Sequence, residues 1–232
     1  MAVVSSTGTI IEEVHERLRK FEAKDEDFYL TEINLGIRDI QNSFPNAPFL
    51  QTSADRTLSS GTRIYSAPTD FEKMNTITYP AGDVKLGYLH PEEFDILQPS
   101  ASETGTPTNY TIRGQGGNAR IEFYPGPGSS LTVHYDYTKE LPVVSAASST
   151  PEIPERYYEL LVLFAEHRGL RRNGLYPGAR EVAKDYEVMK ERMKADLLRQ
   201  SNENTRIRSV REFQQSRSTF DDPVKNMYWS NP

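Results

Sequence analysis

The chain has 232 residues, enough for one large domain or for a core with one smaller module. It is acidic, with a formal net charge of -6 and an isoelectric point of about 5.4, which disfavours sequence-independent binding to DNA phosphates. It has no cysteine, so disulfides and thiolate metal sites are excluded, and folding in a reducing cytoplasm is compatible with its composition. Hydrophobic residues make up 36% of the chain, a low share that predicts segments left unburied until a partner covers them.

Residues 1–47 predict a helical hairpin. The first helix should begin near Thr7 or Thr9, either of which can cap free backbone amides. The second should end before Pro45, because the residue ahead of a proline is disfavoured in the α region. Apolar residues recur at helical spacing on both helices: Ile10, Ile11, Val14, Leu18 and Phe21 on the first, and Phe28, Ile33, Ile37 and Ile40 on the second.

Residues 48–142 predict an inserted module of short antiparallel strands, a small β-sandwich or barrel. The segments are rich in β-branched and aromatic residues and are bounded by Gly, Pro and Asn. Glycines at 114–118 supply the backbone freedom that a hairpin turn needs. The strands are expected around Ile64 and over 75–79, 84–88, 109–113, 119–124 and 130–137.

Residues 143–201 predict a small polar linker over 143–151 followed by helices that complete a bundle of about four. Pro154 suits the first turn of the third helix, and Asn173-Gly174 should end it. The fourth helix carries a seam for packing against another helix: Val182, Tyr186, Met189, Met193 and Leu197. The fold class is therefore α+β, with an extended C-terminal arm over 202–232 in which apolar residues are too sparse to form a core.

The arm contains the sharpest interaction signal. Arginines alternate with apolar residues between 206 and 213, and an aromatic pair lies near the C-terminus, a residue type that anchors interfaces. Contact with another protein is one interpretation, and an inert disordered tail is the alternative. The candidate contact residues are Arg206, Ile207, Arg208, Val210, Arg211, Phe213, Arg217, Tyr228 and Trp229.

A basic cluster, Arg168, Arg171 and Arg172, ends the third helix, where cations favour the negative end of the dipole. A solvated helix end or ion pairs between subunits is the first interpretation, and contact with nucleic acid in a channel is the alternative. The chain lacks catalytic constellations, and its four histidines never occur at metal-ligand spacing. We expect no enzyme activity, no cofactor and no metal. We also expect no membrane span, because no run of about 18 apolar residues occurs, and no signal peptide.

The order of motifs resembles the head-to-tail adaptor (connector, head-completion) proteins of tailed bacteriophages. Each motif is degenerate by itself, and their succession after a helical pair carries the resemblance, which covers roughly residues 9 to 200. The motifs are Ser-Ser-Gly-Thr-Arg-Ile-Tyr-Ser-Ala-Pro-Thr-Asp-Phe (59–71), Tyr-Leu-His-Pro-Glu-Glu-Phe (88–94), Pro-Thr-Asn-Tyr-Thr-Ile (107–112), Arg-Ile-Glu-Phe-Tyr-Pro-Gly-Pro (120–127), Leu-Thr-Val-His-Tyr-Asp-Tyr (131–137) and Ile-Pro-Glu-Arg-Tyr-Tyr-Glu-Leu-Leu (153–161).

The resemblance implies a structural virion protein, made in the host bacterial cytoplasm, that forms a ring of usually twelve copies. The ring would join the portal protein of the capsid to a tail, nozzle or tail-tube protein. Double-stranded DNA would pass through it without sequence-specific binding, which suits the acidic composition. In such proteins the helical bundle lines the channel, and the C-terminal extension commonly contacts the portal.

A β-sandwich that binds glycan or another ligand, mounted on helices in a phage tail or baseplate, is the alternative function. Its sugar-binding platform would be built from aromatic side chains: Tyr65, Tyr79, Tyr88, Tyr124 and Tyr135.

Overall fold

A computed structural model describes residues 6–18, 25–79, 84–97 and 103–220. Side chains are described as far as Arg199, apart from Leu97. The chain divides into two units, Met1–Tyr186 and Glu187–Pro232. Within these ranges the helices are α1 (Thr7–Leu18), α2 (Glu26–Ser43), α3 (Pro91–Leu97), α4 (Tyr158–Arg172) and α5 (Tyr176–Phe220).

The predicted apolar faces of the first two helices are buried at the described positions, except for Phe28, which is half-buried. On α1 the four described members of the face are at most 1% exposed, and on α2 the three isoleucines are at most 3% exposed. Asp25 caps α2 by accepting a hydrogen bond from the Phe28 backbone amide at 3.1 Å. The helix ends at Ser43, ahead of Pro45 as predicted. Phe21, the remaining member of the predicted α1 face, lies outside the described residues.

Helix α4 packs against both α1 and α2. A side chain at Gly36 of α2 would place its Cβ 3.3 Å from Leu161 and Phe164 of α4, so glycine permits this close approach. Arg17 of α1 forms ion pairs with Glu159 and Glu166 of α4, at 3.0 and 3.2 Å. Apolar packing and charge pairing therefore hold the three helices together.

The strands all lie between Gln51 and Lys139, as the change of periodicity predicts. Of the predicted strands, two are shorter than expected (87–88 and 120–124) and two extend beyond the expected range (71–78 and 131–139), whereas the strands at 51–58, 104–105 and 126–127 were not predicted. The described strands are β1 (Gln51–Leu58), β2 (Ile64–Ser66), β3 (Phe71–Thr78), β4 (Gly87–Tyr88), β5 (Thr104–Gly105), β6 (Asn109–Arg113), β7 (Arg120–Tyr124), β8 (Gly126–Pro127) and β9 (Leu131–Lys139).

The strands form two larger sheets, β1-β9-β3 and β2-β7-β6-β4, and a small pair, β5-β8. In the first sheet β9 is antiparallel to both neighbours, and it pairs with β1 without a register shift from Gln51↔Thr138 to Leu58↔Leu131. Buried side chains from both larger sheets meet in one core, so the predicted sandwich is present. The core includes Leu58, Ile77, Val133 and Tyr135 from the first sheet and Tyr65, Tyr110, Ile121 and Phe123 from the second.

The segment after β9, predicted as a linker, is hydrogen-bonded to the helices. The side-chain amide of Asn34 on α2 donates to the Val144 carbonyl at 2.9 Å and accepts from the Val144 amide at 2.8 Å. The backbone amides of Thr7 and Gly8 donate to the carbonyls of Ser149 and Ala147, at 3.0 and 2.7 Å. These contacts bind the linker to α2 and to the start of α1.

The seam predicted on the fourth helix is confirmed at the start of α5. Tyr186 and Met193 are buried, and Val182, Met189 and Leu197 are half-buried. Within the first unit, the Tyr186 ring lies edge-on to that of Phe164, with centroids 5.6 Å apart.

The structure corrects one part of the predicted fold, the extended state of residues 202–220. These residues continue α5, which runs unbroken for 45 residues to Phe220. No glycine or proline interrupts the sequence between Gly178 and Pro223, so nothing in the backbone forces the helix to end sooner. Residues 221–232 of the predicted arm lie outside the described residues.

Candidate assembly surfaces

A groove of about 540 Å³ opens between the two larger sheets, bounded by β3, β4 and β6 and by the turn at Gly114 and Gln115. Its lining is apolar at four positions on β3 and β6: Phe71, Met74, Tyr110 and Ile112. Tyr88 on β4 is 53% exposed and stands beside Tyr110, with ring centroids 5.6 Å apart. The groove therefore offers an aromatic and aliphatic surface to a ligand or a partner.

The groove lining stays uncharged where it is aromatic. Burial, and then the nearby Tyr88, raises the pKa of Tyr110 to about 12, so its phenol remains protonated at neutral pH. Polar side chains exposed to solvent stand at the rim, among them Glu72, Lys73 and Asn75 of β3. Protein interfaces have the same arrangement, an apolar centre surrounded by a polar rim.

Both outer strands of the first sheet have open edges within the part of the chain that the structure describes. On β3, the Ile77 carbonyl accepts from the Leu86 amide at 2.9 Å, and the Tyr79 amide donates to the Val84 carbonyl at 2.8 Å. The stretch Glu72–Asn75, beside the groove, pairs with no other described strand on that side. The outer edge of β1 is also unpaired. Open edges are templates for strand pairing with another chain.

A family model described as the SU10 adaptor protein matches residues 5–213, which include the helices, the sandwich and most of α5. The chain belongs to the SU10 adaptor protein family. This is a family of phage head-to-tail adaptors, so the protein is a structural component of a phage virion. A search of curated proteins found no match.

The adaptor shows no metal-binding cluster among the side chains that the structure describes. Within the same residues, no helix is both long and apolar enough to cross a membrane. The family is one of structural adaptors, and its name implies contacts with the portal and tail proteins of a phage.

The basic cluster of the adaptor is largely paired within the chain. Arg168 donates to buried Glu32 on α2 at 2.9 Å. Arg172 pairs with Asp25 at 3.2 Å, and its guanidinium lies over the Phe28 ring at 4.4 Å from the centroid. The Phe28 amide and then Arg172 lower the pKa of Asp25. All three arginines are exposed, and Arg171 is the one that forms no ion pair with another side chain that the structure describes.

The predicted contact residues of the arm fall in two places. Those from Arg206 to Arg217 lie in α5, where the backbone is helical and the side chains lie beyond the described ones. Tyr228 and Trp229 lie outside the described residues. The predicted roles of both groups stay predictions.

The buried positions of two tyrosines contradict the predicted glycan platform of the adaptor. Tyr65 and Tyr135 are 8% and 1% exposed and belong to the sandwich core. Burial, more than any other influence, raises the pKa of Tyr135 above its ordinary value. Tyr88 of β4 is exposed whereas these two tyrosines are buried, so residue type alone does not distinguish a core position from an exposed one.

A buried carboxylate connects the elements of the second sheet. Glu122 on β7 accepts from Arg113 of β6 at 3.3 Å and is also paired with Arg63 beside β2. Arg113 pairs in turn with Asp95 of α3. The network extends to α3 through Arg113, while the buried Phe94 of α3 packs edge-on against Tyr124 of β7, and periodicity offered no signal for either contact.

The outer face of the first sheet carries an acidic pair around a histidine. Asp55 of β1 lies directly opposite His134 of β9, and its Oδ1 is 2.6 Å from Nδ1 of the ring. Asp136 Oδ1 lies 3.4 Å from Nε2. The hydrogen bond with Asp55 raises the pKa of His134, and the charge of Asp136 acts in the same direction.

The groove is the feature that sequence reasoning missed. Its lining combines β3 with β4 and β6, which belong to different sheets and meet only because the two sheets stack. The alternation of Tyr110 and Ile112 indicates that they share one face of a strand. Nothing in the sequence indicates that no described strand pairs with the Glu72–Asn75 edge of β3, beside Tyr110 and Ile112.

Proposed function

We propose that this protein forms a ring between the portal of a phage capsid and the tail, and that the ring forms part of the DNA conduit. The observation that carries the proposal is the match to the SU10 adaptor protein over residues 5–213. Twelve copies is the expected number, from the resemblance to head-to-tail adaptors. The partners would be further copies of the chain, the portal protein and a tail, nozzle or tail-tube protein.

The ring geometry fits the unpaired surfaces of the first unit. A closed ring needs two different, complementary patches on each subunit, because each copy contacts the next head to tail. Among the described residues, the sandwich presents two different edges that no strand pairs, the outer edge of β1 and the stretch Glu72–Asn75 of β3, at opposite sides of one sheet. The net charge of -6 supports passage of DNA with little adhesion, since like charges repel.

The arm is the proposed contact with the portal or with a neighbouring subunit. Between 206 and 217 the sequence has four arginines and one glutamate, so this part of α5 suits an acidic surface. Tyr228 and Trp229 are the proposed anchors, because tyrosine and tryptophan dominate the energetics of interfaces. Arg171 is the proposed basic contact on the first unit, facing the channel or an adjacent copy.

Native mass spectrometry of the full chain, alone and mixed with the portal protein, tests the proposal. We expect a monomer or weak oligomer alone and a ring in the presence of the portal, because the low apolar content leaves segments to be ordered by a partner. No change in oligomer size on mixing would contradict the ring.

A second part of the experiment tests residues 206–217 of α5, the basic helix. Replacing the four arginines at 206, 208, 211 and 217 with glutamate should reduce portal capture at least tenfold, and added salt should weaken capture of the unmodified chain. The matched control replaces Arg38, Arg180, Arg192 and Arg199, four exposed arginines outside 206–217, with glutamate. Equal loss in both variants would mean that net charge alone governs capture.

A further inference from the structure

The groove beside β3 has the features of a site for an added strand. Its edge, Glu72–Asn75, is unpaired by any described strand and runs along the apolar floor. When an extended peptide joins a sheet edge, backbone hydrogen bonds bind it and alternate side chains enter the adjoining pocket. A volume of about 540 Å³ falls within the roughly 300–1,000 Å³ of pockets that enclose compact ligands.

One segment of the chain has the length and pattern of such a strand. Residues 224–231, Val-Lys-Asn-Met-Tyr-Trp-Ser-Asn, are eight residues between Pro223 and Pro232. Successive side chains of a strand point to opposite faces, so Met227 and Trp229 would share one face and Tyr228 the other. The two large apolar side chains are thus spaced to enter one groove together.

The segment follows a long helix that continues from the end of the first unit. The first unit, which holds the groove, ends at Tyr186, and α5 continues from Glu187 to Phe220. Those 34 helical residues are about 51 Å long. The twelve residues from 221 to 232 span at most about 43 Å when fully extended. The segment lies far along the chain from the groove, and the proposed ring supplies the groove of a second copy.

We propose that residues 224–231 of one copy add as a strand to the Glu72–Asn75 edge of a second copy, with Met227 and Trp229 in the groove. The inference rests on the proposed ring, which brings the two copies together. It assigns the arm's terminal segment to a neighbouring subunit, and it leaves the basic helix to the portal.

Disulfide trapping tests the contact directly, because the chain has no cysteine of its own. Full-length Asn75→Cys and Ser230→Cys variants are mixed, assembled with the portal protein and oxidised. Two cysteines link when their Cα atoms lie about 6 Å apart. We expect a linked pair of chains when both variants are present and none when either is alone. The matched control is Ser53→Cys with Ser230→Cys, because Ser53 is an exposed serine on β1, at the opposite side of the same sheet.

Several outcomes would overturn the inference. A chain carrying both Asn75→Cys and Ser230→Cys that links only within itself would assign the groove to its own segment. A link from Asn75→Cys to the portal protein would make the portal the occupant of the groove. The absence of any link would mean that residues 224–231 do not bind there. Native mass separates the two proposals: a ring without the link defeats this inference alone, and no ring defeats the proposed function as well.

Fluorescence gives a second readout, since Trp229 is the only tryptophan. Its emission should shift to shorter wavelength when the ring forms. Ile112→Lys, in the groove floor, should abolish that shift, and Ile64→Lys, at an isoleucine that is 52% exposed on β2, should retain it. Circular dichroism checks that both variants are folded, and Tyr88→Lys replaces Ile112→Lys if the latter unfolds. A shift retained with the floor altered would contradict insertion of Trp229.

Discussion

Glu122 is the residue whose charge the second sheet depends on most. Its side chain is 9% exposed and contacts arginines from two different segments, Arg63 and Arg113. Breaking a buried ion pair is costly, because the remaining charge has lost its partner without regaining water. The exposed end of the same network, Asp95, should matter far less.

We expect Glu122→Ala to lower the free energy of unfolding by about 3 kcal/mol, close to the cost of removing one partner of a buried pair. Asp95→Ala, the control at the 61% exposed end, should lower it by less than about 1 kcal/mol. Urea denaturation measures both variants. Equal losses would mean that Glu122 acts as a surface charge.

His134 should make stability depend on pH near neutrality. Its pKa is raised in the folded protein by Asp55 and Asp136, so the folded state binds the proton more tightly than the unfolded state. The added stability is fully present below the unfolded value of about 6.5 and is lost as pH rises through the raised folded pKa.

The free energy of unfolding should therefore fall more steeply as pH rises above about 6.5 in the unmodified chain than in His134→Gln. The control is His90→Gln, which changes an exposed histidine just ahead of α3. Urea midpoints measured at several pH values give the comparison. A slope unchanged by His134→Gln would show that the two aspartates do not hold the proton.

At the scale of elements, the segment after β9 is held by the side chain of Asn34, which forms hydrogen bonds with the backbone of Val144 as a neighbouring strand would. Asn34 both donates to and accepts from Val144, so one amide pairs two backbone groups of a residue that is 4% exposed. Leu141 makes a similar contact, donating its amide to Gln41 of α2 at 3.2 Å. Helix α2 thereby fixes the path by which the chain returns from the sandwich to α4.

Asn34→Ala should lower the free energy of unfolding by about 2 kcal/mol, because it leaves buried backbone groups without partners. Asn42→Ala, at an exposed position of the same helix, should have little effect. Thermal or urea denaturation distinguishes them. If both variants unfold at the same midpoint as the unmodified chain, the hydrogen bonds between Asn34 and Val144 do not contribute to stability.

At the scale of the whole molecule, the sandwich enters and leaves the helical unit at neighbouring points. Gln51 at the start of β1 lies opposite Thr138 near the end of β9. The core of the sandwich is formed by its own strands. That arrangement is typical of an insertion that can be removed without breaking the surrounding fold.

Replacing residues 51–138 with a short Gly-Ser bridge should leave a folded helical protein that still binds the portal protein but yields no tailed particles. Circular dichroism, portal capture and electron microscopy of particles measure the three effects. The full chain with the same bridge inserted after Gly61, in the exposed turn before β2, is the control. If the deletion variant yields normal tailed particles, the sandwich is not required for tail attachment.

The local features of the chain follow from sequence. Helical spacing identified the buried faces of α1 and α2, Pro45 marked the end of α2, and Asn173-Gly174 marked the end of α4. The positive φ of Gly174 explains the last, because glycine adopts that conformation without strain. The order of motifs was also sufficient for the family.

Tertiary structure decided which surfaces remain open. Tyr65 and Tyr88 have the same side chain in similar strands, yet stacking of the sheets buries the first and exposes half of the second. Contacts between different elements form the groove, the ion pairs of Glu122 and the hydrogen bonds between Asn34 and Val144. The sequence did not predict them, because periodicity describes only one element at a time. The apolar pattern did not predict the helix over 202–220, because such a pattern reports only whether one face of a helix is buried. Whether the backbone can continue as a helix depends instead on the absence of glycine and proline.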